Sequence, residues 1–283
     1  SGAPIRHKFK YTAGRALRHI VLALWCATTA FPILWTLMVS FKDNSQIFTA
    51  PFAWPNPVIS SNFSDIFAKL NIPRGFLNSI IYSFFTVLIV CILSAMVGFY
   101  LSKCVRRKGG FLYTYFILGM MIPVQAIAIP MFVHIKNFNL INTSPGIIIT
   151  YVVIELAFAI FIMTGFISRS VPDSIIEAAS IDGCNVFGVF VRMVLPLAKS
   201  GIATVGTFVF LHVWNEFFFA LILLAKPELI SLNLTTYKLR GQYSSDYGLL
   251  AAGVVILAVP ALIIYALFQE QVVKGLTAGA VKE

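Results

Sequence analysis

The chain has 283 residues, 59% hydrophobic and only 11% charged, with a net charge of +10. A mean hydropathy of +0.87 argues against a soluble enzyme or a free nucleic-acid-binding domain and for a chain that lives in lipid. The positive charge lies beside apolar runs, where it sets topology and attracts anionic headgroups. No basic patch with interleaved aromatics stands apart from those flanks, so no nucleic-acid partner is expected.

In chain order, the first apolar run covers residues 20–41 and is long enough to be a span rather than a cleaved signal. Residues 42–76 follow, with PFAWPNP and then NFSDIFAKLNIPRG. They read as a turn-rich piece and one amphipathic stretch lying on the membrane face. Runs 80–101 and 111–133 contain no Asp, Glu, Lys, Arg or His. Run 145–168 carries only Glu155, run 200–225 only His212 and Glu216, and run 247–269 is again clean. At about 1.5 Å per residue each run can cross a layer of roughly 30 Å, and a backbone in lipid must satisfy its own hydrogen bonds. The expected fold is therefore an all-α integral membrane protein with six transmembrane helices.

Pro32, Pro123, Pro130 and Pro260 fall inside apolar runs and predict kinks; the doubled break IPVQAIAIP suits a pathway wall. The basic residues gather in alternate hydrophilic segments. The clearest is the loop KCVRRKGG (103–110), with Lys103, Arg106, Arg107 and Lys108 and no acid. The positive-inside rule then places both termini of this multi-pass protein in the cytoplasm. On that topology Cys26 and Cys91 lie in spans and Cys104 and Cys184 face the cytoplasm, so no disulfide is expected, and their spacing fits no zinc site.

Three ionisable residues sit within the runs. Glu155 is in the fourth; His212 and Glu216 are in the fifth at i and i+4, on one helical face where they can pair. Charges in spans usually face a bundle interior or a wet cavity. The group is either a proton relay or substrate contact, or a set of interhelical hydrogen bonds that fixes packing. One histidine and two carboxylates make an incomplete metal-ligand set. No P-loop, H-E-x-x-H or G-x-S-x-G occurs, so no enzyme and no nucleotide site of the chain's own is expected.

Between the fourth and fifth runs lies a polar island, EAASIDGCNVFGVFVRMVLP (177–196). Pro172 suits a helix's first turn, Asp173 and Glu177 its positive end, and Gly183 its termination. Ala178 and Ala179 are small enough to let another surface approach closely. The segment reads as a short cytoplasmic helix, about residues 172–183, stiff enough to transmit force. Pro196 then starts the fifth span.

The pattern Glu177-Ala178-Ala179, Gly183 four residues on, then Met193, Leu195 and Pro196 resembles the signature of ABC-importer permeases, with Met193 where that family usually has isoleucine. The stretches IPMFVHIKNFNLINTSPGIII (129–149), FVFLHVWNEFFFALILL (208–224) and GLTAGAVKE (275–283) are similar to the smaller permease subunit of maltose-type sugar importers. The resemblance implies a cytoplasmic segment (1–19), a six-helix permease domain (20–270) with a coupling helix between spans four and five, and a cytoplasmic tail (271–283). It implies four partners: a second homologous permease subunit, a cytoplasmic ATPase dimer that binds ATP and Mg, an extracytoplasmic solute-binding protein, and the sugar. It implies ATPase coupling for Glu177, Ala178, Ala179, Asp182, Gly183, Leu195 and Pro196, and a tail contact for 275–283. Glu155, His212, Trp214, Asn215 and Glu216 are candidate substrate-pathway residues, with packing or gating the other reading of WNEF. Two alternatives stand beside this: a permease of the same design for a polyol or glycerol-phosphate, and a stand-alone proton-coupled carrier using Glu155, His212 and Glu216.

Overall fold

A computed structural model describes the backbone of residues 5–104, 109–242 and 246–280, and the side chains of 14–104, 110–238 and 246–270. Arg106, Arg107 and Lys108 lie outside the described residues, as do the side chains of the tail 271–283. Every regular element among the described residues is helical. Among the described residues, four helices are long and apolar enough to cross a membrane: Gly14–Val39, Ile72–Cys104, Ser144–Ser170 and Tyr247–Glu270. Two bent pairs bring the total to six if each is one span: Gly110–Met120 with Val124–Asn137, bent by 90°, and Val186–Leu197 with Lys199–Asn215, bent by 75°.

The chain divides into two compact units, one of residues 1–70 with 239–256, the other of 71–238 with 257–283. In the first, α1 (Ile5–Val39) carries Pro32 within it. The segment after it folds back on itself through α2 (Asn44–Thr49) and α3 (Ser61–Lys69). Asp43 caps α2 by accepting from the Gln46 amide. Lys42 is buried, its Nζ donating to the carbonyls of Ala50 at 2.9 Å and Pro51 at 3.1 Å. Asn62 donates to the carbonyls of Ser40 and Lys42, each at 2.9 Å. The amphipathic stretch is therefore a helix, α3, with Ile66 and Asn62 on its buried side.

The second unit holds the main core. Its centre is the pairing of α4 (Ile72–Phe99) with α7 (Ser144–Ser170), on which α11 (Lys199–Asn215) packs from α4 and α7 alike. The α4–α7 approach is close at Gly98, where an added Cβ would lie 3.1 Å from the Thr164 amide nitrogen. Between them run α5 (Gly109–Met120), a 3-10 turn over Val124–Ile127 and α6 (Ala128–Asn137). Pro123 ends one helix, while Pro130 sits in the first turn of α6, where its missing N–H costs nothing. The doubled proline thus makes one sharp corner rather than two kinks.

One end of this core is laced by polar side chains. Asn78 donates to the carbonyls of Glu228 and Ile230, Tyr82 OH to Leu229, and Ser79 Oγ accepts from the Leu232 amide. Asn142, at φ 56°, accepts from the Ala225 and Lys226 amides. Further along the chain come α13 (Leu232–Gln242) and α14 (Tyr247–Ala280), with Pro260 inside the latter. The polar segment between the fifth and sixth apolar runs thus contains a helix, α13.

Candidate functional site

The polar island folds as a short helix, α8 (Asp173–Ile181), with Pro172 as its N-cap. It ends in a paired hydrogen-bond cap: the Cys184 amide donates to Ala179 O at 2.9 Å and the Gly183 amide to Ser180 O at 3.1 Å, with Gly183 at φ +79°. This left-handed residue satisfies carbonyls that the helix end leaves open, which is why glycine stands there. Two short elements follow, α9 (Val186–Val189) and α10 (Leu195–Leu197), joined by a π-helical turn over Phe190–Val194. Asn185 caps α9 by accepting from Gly188 N at 2.7 Å.

Exposure sorts the residues of this segment. Glu177, Ala178, Asp182 and Gly183 are exposed, and Ile181 is 86% exposed at the tip. Ala179 is only 3% exposed and packs against the chain's own core, so its small size serves an internal close fit rather than an outward one. Leu195 is half-buried against that core, and Pro196 is exposed within α10. The long helix of the fifth apolar run starts at Lys199, not Pro196, because the chain turns between α10 and α11.

The second candidate site lies where α7 and α11 run antiparallel. On α7, Tyr151, Glu155 and Phe158 fall at i, i+4 and i+7, so they share one face. They meet Glu216, His212 and Phe208 in turn. Tyr151 OH donates to Glu216 Oε2 at 2.7 Å. His212 Nδ1 pairs with Glu155 Oε2 at 3.1 Å. The Phe158 and Phe208 rings are 5.6 Å apart, edge to face. One further rung continues the register at Phe166 and Gly201, where an added Cβ would lie 2.8 Å from the phenylalanine Cβ.

His212 and Glu216 therefore do not pair with each other, contrary to the expectation from their spacing. The helix ends at Asn215, and Glu216 has extended backbone (φ −68°, ψ 131°), which takes its side chain off the helical face. Its carboxylate caps α12 (Phe218–Leu223) by accepting from Phe219 N at 2.7 Å and Ala220 N at 3.2 Å. Trp214 is 2% exposed, stacks on Phe210 and donates to Leu257 O at 3.0 Å, a core residue rather than one that meets a passing solute. Asn215 is exposed, its Nδ2 donating to Leu211 O at 2.7 Å one turn back. Sequence reasoning misses Tyr151, Phe158 and Phe208, although their spacing to Glu155 and His212 carries the signal. Among the described residues no cluster of three or more His, Cys, Asp or Glu could hold a metal.

Comparison with known proteins adds to this geometry. The chain is 34% identical over 266 residues to the diacetylchitobiose uptake system permease protein of Streptomyces coelicolor, covering 93% of this chain and 88% of that protein. It is 31% identical over 268 residues to the multiple sugar-binding transport system permease protein of Streptococcus mutans, covering 94% and 96%. In fold it is similar to a chain in the crystal structure of a bacterial ABC transporter involved in the import of the acidic polysaccharide alginate. The TM-score is 0.80 at 22% identity, over 92% of this chain and 96% of that one. Residues 92–276 match the family described as binding-protein-dependent transport system inner membrane component, and the chain belongs to that family.

Proposed function

We propose that the chain is the permease subunit of an ATP-driven, binding-protein-dependent importer of sugars or oligosaccharides, forming half of the translocation pathway. The observation that carries this is whole-length similarity to permeases named for sugar uptake, joined to membership of a transport family rather than an enzyme family. Six spans, each bent pair counted as one, with α8 as coupling helix between the fourth and fifth, fit the domain layout 1–19, 20–270 and 271–283. Both termini then face the cytoplasm. Energy comes from a partner ATPase that binds ATP and Mg. A second permease subunit completes the pathway, and a solute-binding protein delivers the sugar from outside.

The shape of α8 supports a coupling role. Its anchor, Ala179, is buried, while Glu177, Ala178, Ile181 and Asp182 stand out from the body and are free to enter a cleft. A helix held at both ends moves as one piece, so a push on its tip is carried into α7 and α11. ATP-driven switching between inward- and outward-facing states is then a rigid-body event. The test is uptake by the complex reconstituted with its co-encoded ATPase, partner permease and binding protein. Replacing Glu177 or Gly183 should lower uptake per ATP hydrolysed while the complex still assembles. Normal ATP-driven uptake with residues 177–183 scrambled rules the mechanism out. Uptake by this chain alone, driven by a proton gradient, would instead favour the carrier reading, and selective uptake of a polyol or glycerol-phosphate the alternative solute.

A further inference from the structure

The Glu155–His212 pair is placed where a membrane protein rarely leaves charge open. Glu155 lies near the middle of the 27-residue α7, its side chain 10% exposed, whereas the His212 side chain is 55% exposed. Facing lipid there would be costly for an imidazole paired with a carboxylate, so this face meets water or protein. The aromatic rungs converge on the same point. The His212 ring lies 6.0 Å from Phe158 and 6.5 Å from Phe208, and both rings are only partly buried. Along α11, Phe208, His212 and Asn215 fall at i, i+4 and i+7, which puts the exposed Asn215 amide on the same stripe.

Resting on the sugar-importer reading, we propose that Phe158, Phe208, His212 and Asn215 form a saccharide subsite within this chain, with Glu155 as a positioning residue. A pyranose ring has an apolar C–H face and a rim of hydroxyls. The two phenyl rings offer the apolar face a partner, and the polar stripe offers the hydroxyls theirs. The Glu155 carboxylate favours the imidazole tautomer with the proton on Nδ1, and among the described residues no hydrogen bond engages Nε2. That nitrogen is left for a sugar hydroxyl. Trp214 is excluded because its single N–H is spent on Leu257, and Glu216 because both its carboxylate oxygens are engaged by Tyr151 and the α12 cap, whereas among the described residues Asn215 spends one Nδ2 N–H on Leu211 and keeps its second N–H and Oδ1.

The test uses the full importer in proteoliposomes. The probe is whichever of labelled diacetylchitobiose, maltotriose or arabinotriose raises the melting temperature of the co-encoded binding protein. Phe158→Leu with Phe208→Leu keeps the apolar volume and removes the rings. Uptake should fall by about tenfold or more, with Phe208→Tyr alone retaining most of it. A Phe208→Trp variant supplies a direct readout: its added emission should be quenched saturably by the delivered sugar, and not by glycerol. Uptake within twofold of the parent in the double leucine variant, or emission indifferent to the sugar, overturns the subsite. So does loss of the partner permease from the purified leucine variant, which would make the patch a subunit contact. If the parent complex moves none of the three sugars, it is the importer reading that fails, and the two failures are told apart.

Discussion

Lys103 Nζ lies 2.9 Å from Asp173 Oδ1 and 3.4 Å from the Ser168 carbonyl, so one side chain joins the π-helical turn Tyr100–Cys104 that extends α4, the last turn of α7 and the first residue of α8. The ammonium sits at the negative end of α7 and the carboxylate at the positive end of α8, so both helix dipoles favour the arrangement. The Lys103 side chain is 7% exposed and that of Asp173 44%, which screens the pair only partly. If α8 is a lever, this contact is where it is pinned to the second span. Lys103→Met should lower stability by about 1 kcal/mol and reduce uptake per ATP. A double-mutant cycle with Asp173→Asn, read by thermal unfolding and reconstituted uptake, checks it; additive effects would show that the contact carries no coupling.

A Cβ added at Gly183 would meet open space, so the constraint on this position is the backbone alone, at φ +79°. A β-branched residue there should cost about 1–2 kcal/mol, and asparagine, which tolerates the left-handed region, distinctly less. The order of melting temperatures is therefore expected to be Gly, then Asn, then Val.

Gly201 is constrained by space instead. An added Cβ would lie 2.8 Å from both Cβ and Cγ of Phe166, and a Cβ rides on the backbone and cannot swing away. Gly201→Ala should destabilise by about 1–3 kcal/mol through displacement of α11 from α7. Adding Phe166→Ala removes the ring but leaves its Cβ, so the rescue should be partial. Thermal unfolding of the three variants decides this.

The Glu216 carboxylate accepts three hydrogen bonds, from Tyr151 OH and the Phe219 and Ala220 amides. Glu216→Ala strips all three and leaves their donors unpaired, at a cost of about 1–3 kcal/mol for each buried group not rehydrated. Tyr151→Phe removes one donor and one bond, so it should cost about 1 kcal/mol or less. Comparable losses for the two would mean that the α12 cap contributes little. Unfolding measured in the same detergent compares them.

The apolar runs were legible because the bilayer imposes length and composition on any span, and the helices found at α1, α4, α7 and α14 follow them. Gly183 was equally legible as a terminator, since its role is a property of its own backbone. The corner at Pro123 was foreseen as a break, but its sharpness was not, because a bend angle depends on what the two arms pack against.

The candidate sites divide in the same way. The sequence by itself determined that Glu155, His212 and Glu216 lie in apolar runs and that a polar helix separates Glu155 from the other two. It also carried the motif that points to the family. Only the tertiary structure decided who meets whom. His212 turned to Glu155 and not Glu216, Ala179 turned inward, and Trp214 was consumed by the core. Spacing along one helix states which residues share a face; the register of the neighbouring helix, which at α7 and α11 seats Gly201 against the Phe166 side chain, states what that face touches.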